Sequence, residues 1–299
     1  MNMIWSRVLN GLLFIILLTP ALLADEAAAP AEQNHFLWKV SGKTGHAYLF
    51  GTIHLLRASD YPLATPITQA LKDADLLILE VDPKAAQNTQ VQMQLVQAAM
   101  LPDGKELKDV LSAATYALAE EKCEAMGVDV NMFSRMQPWM FAVTLSMYEL
   151  SKLGFNPQAG VDKHLAARAR EAEMPVEGLE TALHQIRLLS GLSREQQDAM
   201  VRHTIAELDV MRDSIEKMVA AWKTGDSEAV KSFTHDAFRE FPRLKKVLLE
   251  QRNRQWLPVI RENLAAGKTA FIAVGAAHLV GEDGVVELLR EAGYAVEQQ

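Results

Sequence analysis

Two stretches near opposite ends of the chain share one device: Tyr48 to Leu55, YLFGTIHL, and Ala270 to Leu279, AFIAVGAAHL. Each passes from apolar, β-branched or aromatic residues that read as a buried strand into glycine, two uncharged residues, histidine and leucine. Glycine behind a strand lets the backbone turn or approach a ligand closely, and open α/β sheets bind ligands just past the carboxyl ends of their strands. His54 and His278 are therefore expected where chemistry sits. A single histidine beside an apolar strand is more often a hydrogen-bonded structural residue, whereas two in the same setting suggest related half-units meeting at one site. Glu80 is the third candidate, near the carboxyl end of the apolar run Asp75 to Asp82. In a parallel sheet it leaves its strand on the rim that carries His54, as a general base or metal ligand. Its ordinary alternative is a solvent-facing carboxylate capping the helix that begins near Pro83.

Other polar residues give weaker signals. Glu180 follows a short strand and repeats the placement of Glu80. Asp162, beside Gly160 and Val161, reads first as an acid in the opening turn of a helix. Arg252 and Trp256 share a helix face. The favoured reading there is a solvated arginine with its stem on tryptophan, the alternative being a guanidinium that binds a carboxylate or phosphate or stabilises an oxyanion. His164, His184, His203 and His235 lie on helices without a partner at metal-ligand spacing, and no H-E-x-x-H occurs. Met93, Met132, Met136 and Met140 read as core or groove filler.

The elements that must position these groups alternate between strands and helices, which predicts an α/β architecture. Phe36 to Val40 and His46 to Phe50 form a hairpin, followed by a helix to about Lys72 and the strand Asp75 to Asp82, with Glu80 near its carboxyl end. From Pro83 to Gly154 the chain is helical and rich in methionine. A helix from Gly160 to Arg170 and a strand Pro175 to Gly178 follow. The capping box Ser193-Arg194-Glu195-Gln196 starts a helix expected to reach Trp222, and another runs from Pro242 to Ala266. Strand Thr269 to Val274, a helix Asp283 to Ala292, Gly293 as its left-handed cap and strand Tyr294 to Glu297 complete the chain.

With 299 residues, of which 49% are hydrophobic, the chain can bury a full core. A net charge of −8 without a basic run speaks against a nucleic-acid partner. Arg7, the apolar Leu9 to Leu18, Pro20 and Ala21-Leu22-Leu23-Ala24 have the form of a signal peptide over residues 1–24, so a periplasmic destination is expected. The apolar run is shorter than the roughly 20 residues of a spanning helix, so no stable membrane span is expected after cleavage. Residues 25–34 read as a flexible lead-in and residues 35–299 as the folded domain. Cys123 is the one cysteine, expected to be a small buried hydrophobe.

The two G-x-x-H elements, Glu80 at its strand end, Gly160-Val161-Asp162, Gly178-Leu179-Glu180-Thr181, Arg252-Asn253 with Trp256, and the closing Gly275 to Gly281 form a specific combination. Over roughly residues 36 to 298 the chain resembles the TraB/GumN family, which includes the Tiki proteases, and above all its exported bacterial GumN-type members. The resemblance implies an α/β fold related to the erythromycin esterases and the haem-binding ChaN proteins. That fold has two pseudo-related halves, a large helical insertion and a cleft between the halves. It further implies a metal-dependent peptidase in which His54, His278 and Glu80 hold a divalent ion, manganese, cobalt or zinc, with Arg252 and Asn253 lining the cleft. Two imidazoles and a carboxylate leave a coordination position for water, whose pKa the ion lowers. Arg252 would hold an oxyanion or a substrate carboxylate. Two alternatives stand beside this: a metal-free esterase with His54 or His278 as base oriented by Glu80, and a non-catalytic periplasmic protein that binds peptide or haem.

Overall fold

A computed structural model describes residues 34–299. The expected signal segment, 1–24, and the lead-in up to residue 33 lie outside the described residues. The strands are β1 (Leu37–Ser41), β2 (His46–Thr52), β3 (Leu76–Val81), β4 (Val176–Glu180), β5 (Ala270–Gly275) and β6 (Ala295–Gln298). They form one six-stranded sheet in the order β4-β3-β5-β2-β1-β6. β4, β3, β5 and β2 run parallel, while β1 and β6 add antiparallel strands at one edge. The α/β class is as the sequence implied. The two strand-glycine-histidine units are immediate neighbours, with Gly51 opposite Val274 and Thr52 opposite Gly275.

Burial follows position in the sheet. The inner strand β5 is buried throughout, and β3 is buried from Leu76 to Glu80. A parallel sheet covered on both faces requires such continuous apolar runs. The edge strands are far less covered: no residue of β4 is buried, and in β6 only Val296 is. Helix Thr65–Lys72 buries Ile67, Ala70 and Leu71, and helix Pro138–Lys152 is buried along most of its length. Cys123 is buried, as are Met136 and Met140. Met93 and Met132 depart from expectation: they are 69% and 65% exposed, because the segments that carry them turn other faces to the core. No helix among the described residues is long and apolar enough to cross a membrane.

Two expected helices are interrupted. The one opened by the capping box ends at Glu207, and a second, Met211–Lys223, begins after a turn. The turn lets both segments bury apolar faces, and without Gly or Pro it leaves no mark in the sequence. The helix from Pro242 breaks into a π-helical turn, Lys246–Glu250, before continuing as Gln251–Ala265. Such turns are frequent at functional sites, and this one ends two residues before Arg252.

Candidate active site

His54 stands in the loop past β2, and its partner comes from a helix more than a hundred residues away. Gly160 caps helix Val161–Glu171. A Cβ on Gly160 would lie 2.2 Å from the carbonyl oxygen of His54, so only glycine permits this approach. The Val161 amide then donates to the Ile53 carbonyl at 3.0 Å. One residue further on, Oδ2 of Asp162 lies 2.5 Å from Nδ1 of His54, and the Thr52 hydroxyl donates to Oδ1 at 2.9 Å.

His278, Glu80, Arg252 and Asn253 gather behind this pair as one buried network. At the end of β3, Oε1 of Glu80 accepts from the Gly275 amide at 2.7 Å, which ties two neighbouring strand ends together. Its Oε2 accepts from Nη2 of Arg252 at 2.5 Å and from the Gln185 amide at 3.0 Å. The five N–H groups of Arg252 reach Glu80, Glu180, the Leu248 carbonyl and His278. Trp256 packs against the guanidinium at 4.8 Å from ring centroid to Cζ. At 1% exposure, Arg252 is not the solvated arginine favoured from its helix face; its donors go to protein acceptors. Asn253 donates to the Asp283 carbonyl at 2.8 Å, which fixes its amide so that Oδ1 faces Nδ1 of His278 at 2.5 Å. The His278 ring is thereby set as the Nδ1–H tautomer, with Nε2 facing Nη1 of Arg252 at 2.9 Å.

The two imidazoles are driven to opposite charge states. Burial acts to lower the pKa of His54, but the Asp162 carboxylate, through its charge and its hydrogen bond, and Glu80 beyond it carry the group up to about 9. Burial and the neighbouring Arg252 hold His278 well below the ordinary imidazole value. Glu80 and Asp162 resist the upward push of burial through Arg252 and His54 respectively, and both stay below the usual carboxylate range.

As arranged, this donor set does not fit a divalent metal ion. Nε2 of His278 and Oε2 of Glu80 both face the guanidinium of Arg252, a permanent cation. Nδ1 of His54 is given to Asp162. Among the described residues, no group of three or more His, Cys, Asp or Glu side chains is disposed to hold a metal.

Two cavities share His54 in their walls. One is largely apolar and includes both loops, Thr52 to Leu55 and Gly275 to Ala277. The other is more polar, with Glu80, Asp162, Gln185, Lys163 and Arg170 among its lining. Arg252, Asn253 and His278 line neither and stand behind the wall. Of the five residues expected to act, four thus form one network, with 3.8 Å between Glu80 Oε1 and His278 Nε2, while His54 faces the cavities. Asp162 and Gln185 complete the site without having been assigned a role in it. Asp162 looked like a helix-start acid, and nothing local marks Gln185. The repeat of Glu80's placement was the available signal for Glu180.

Comparison with known proteins follows the same span. Residues 36–298 match the profile of the TraB/PrgY/gumN family. The uncharacterised protein YbaP of Escherichia coli (strain K12) is 28% identical over 261 residues, covering 86% of this chain and 94% of YbaP. The metalloprotease TIKI2 of Xenopus tropicalis is 23% identical over 321 residues, covering 88% of this chain and 60% of TIKI2. The metalloprotease TIKI1 of Homo sapiens is 22% identical over 322 residues, covering 89% and 62%. No solved structure matches the chain.

Proposed function

Because the chain belongs to the TraB/PrgY/gumN family, we propose that it is an exported hydrolase that cleaves peptides, with the Asp162–His54 pair as its proton-transfer group. The observation that carries this reading is the 2.5 Å contact between Nδ1 of His54 and Asp162, at a wall shared by two cavities. A carboxylate on Nδ1 orients the ring and stabilises its charged form, so proton exchange with a substrate runs through Nε2. In the fraction of molecules whose His54 is neutral, which grows as pH rises toward about 9, water attacking a peptide carbonyl passes its proton to Nε2. The imidazolium, held by Asp162, returns that proton to the departing amine. Glu80 ties the ends of β3 and β5 together through the Gly275 amide, and Arg252, bonded to both Glu80 and His278, braces that junction from behind.

The Tiki relatives are named metalloproteases, and their likeness supports peptides as substrates. The test is hydrolysis of a fluorogenic peptide library by the wild type, His54→Ala and Asp162→Asn. Losses of about 10²-fold or more are expected with folding intact, and undiminished hydrolysis would refute the assignment. Dialysis against a chelator, then return of manganese, cobalt or zinc, reads out any metal requirement in the same assay. The form of residues 1–24 supports export; periplasmic recovery of a chain beginning at Asp25 tests it.

A further inference from the structure

The apolar cavity beside His54 has a construction that the proton-transfer reading does not use. Its floor is both G-x-x-H loops, from Thr52 to Leu55 and from Gly275 to Ala277. Its roof comes from consecutive helices, chiefly through Met211, Ile215, Met218, Phe233 and Phe238. The indole of Trp222, also in the wall, donates to the Gly51 carbonyl at 2.7 Å and so pins the roof to the first loop. Among the described residues, the one titratable side chain in this wall apart from His54 is Glu207, whose carboxyl burial and the charge of Glu240 push up toward the neutral form.

We propose that this chamber is the substrate's side-chain pocket, and that it selects peptides carrying a bulky aliphatic or aromatic residue beside the bond presented to His54. The inference rests on the peptidase reading and names its substrate class. Three features argue for a side chain as occupant. The open space is about 100 Å³, on the scale of one large side chain and too small for a stretch of chain. The lining is apolar and offers few partners for backbone amides, which the polar cavity on the other face of the wall supplies through Gln87, Gln92 and Gln158. Met211 and Met218 adapt to branched and flat shapes alike, since the thioether side chain is flexible and polarisable.

The test reads binding directly and needs no turnover. Full-length protein labelled at its methionine methyls with carbon-13, with resonances assigned through Met211→Leu and Met218→Leu, is titrated with N-acetyl-leucinamide, N-acetyl-phenylalaninamide, N-acetyl-alaninamide and N-acetyl-lysinamide. The Met211 and Met218 methyls are expected to move with the leucine and phenylalanine probes at concentrations at least ~10-fold below those needed for alanine. Met93 and Met132, exposed and outside the chamber wall, should stay still. Equal response to alanine and leucine, preference for the lysine probe, or no movement of either methyl would overturn the proposal. Selective binding without peptide cleavage would instead sink the hydrolase reading alone. Cleavage indifferent to the adjoining side chain, with silent methyls, would sink the chamber alone.

Discussion

Asp162→Asn removes one charge while keeping the size of the side chain, so it isolates what the carboxylate does to His54. In the folded chain the Asp162 partner, 2.5 Å from Nδ1, outweighs burial and raises His54 from 6.5 to about 9. A group raised in the folded state stabilises it fully below the unfolded value of 6.5. Between 6.5 and about 9 the unfolded imidazole has lost its proton and the folded one has kept it, so stability falls across that window. At about 1.4 kcal/mol per pH unit the interval is worth about 3 kcal/mol. In Asp162→Asn, burial is left to act without the carboxylate, His54 titrates below its present value, and this loss disappears. Urea midpoints for both proteins from pH 6 to 9.5, with the His54 ring proton followed by NMR, give the comparison. Parallel stability curves, or a wild-type His54 that titrates near 6.5, would refute the reasoning.

Other substitutions probe the rest of the site. Arg252→Ala leaves Glu80 and Glu180 buried without their cation and should cost about 3–5 kcal/mol in urea unfolding; a loss under ~1 kcal/mol would mean that water or another cation replaces it. Arg252→Lys should recover only part of that loss, because a point charge cannot fill the five-donor fork. Gly160→Ala forces a Cβ to within 2.2 Å of the His54 carbonyl. An overpacking cost of about 1–3 kcal/mol is expected, together with a lower His54 pKa by NMR; an unchanged titration would show that the helix start can shift without losing Asp162. Asn253→Asp sets a carboxylate against Nδ1 of His278 and should raise that imidazole by NMR titration, whereas an unmoved His278 would count against the hydrogen bond.

The strands around the site were legible because burial on both faces leaves little latitude. β3 and β5 had to be continuous apolar runs, and a glutamate ending one of them stood out for that reason. Asp162 was hidden because an acid in a helix's first turn has a sufficient local explanation in the backbone N–H groups beside it. Its contact with His54 arises from the close passage of Gly160 over the β2 loop, which no local pattern encodes. For Arg252 the sequence supplied the right neighbour, since Trp256 does lie against it. The guanidinium's fate was set elsewhere, by carboxylates arriving on β3 and β4. The break after Glu207 was silent for a different reason: the apolar pattern continues through it.

The repeated G-x-x-H motif delivers two histidines to adjacent strand ends, and their neighbours then make them chemically unlike. The loop after β2 meets a carboxylate, which favours an imidazolium. The loop after β5 turns through Ala276–His278 and seats its ring 4.5 Å from the centroid of Trp256, between an amide oxygen and a guanidinium, where burial and the charge of Arg252 favour the neutral form. A divalent ion shared by both rings would need the opposite of each arrangement: a deprotonated His54, and a His278 released from Arg252. Any uptake of manganese or zinc at this site must therefore release a proton and tighten as pH rises toward about 9. Calorimetric titrations from pH 6 to 9, in buffers of different ionisation enthalpy, measure both quantities. Affinity that ignores pH, with no proton released, would place the ion away from His54 and leave the network around Arg252 intact.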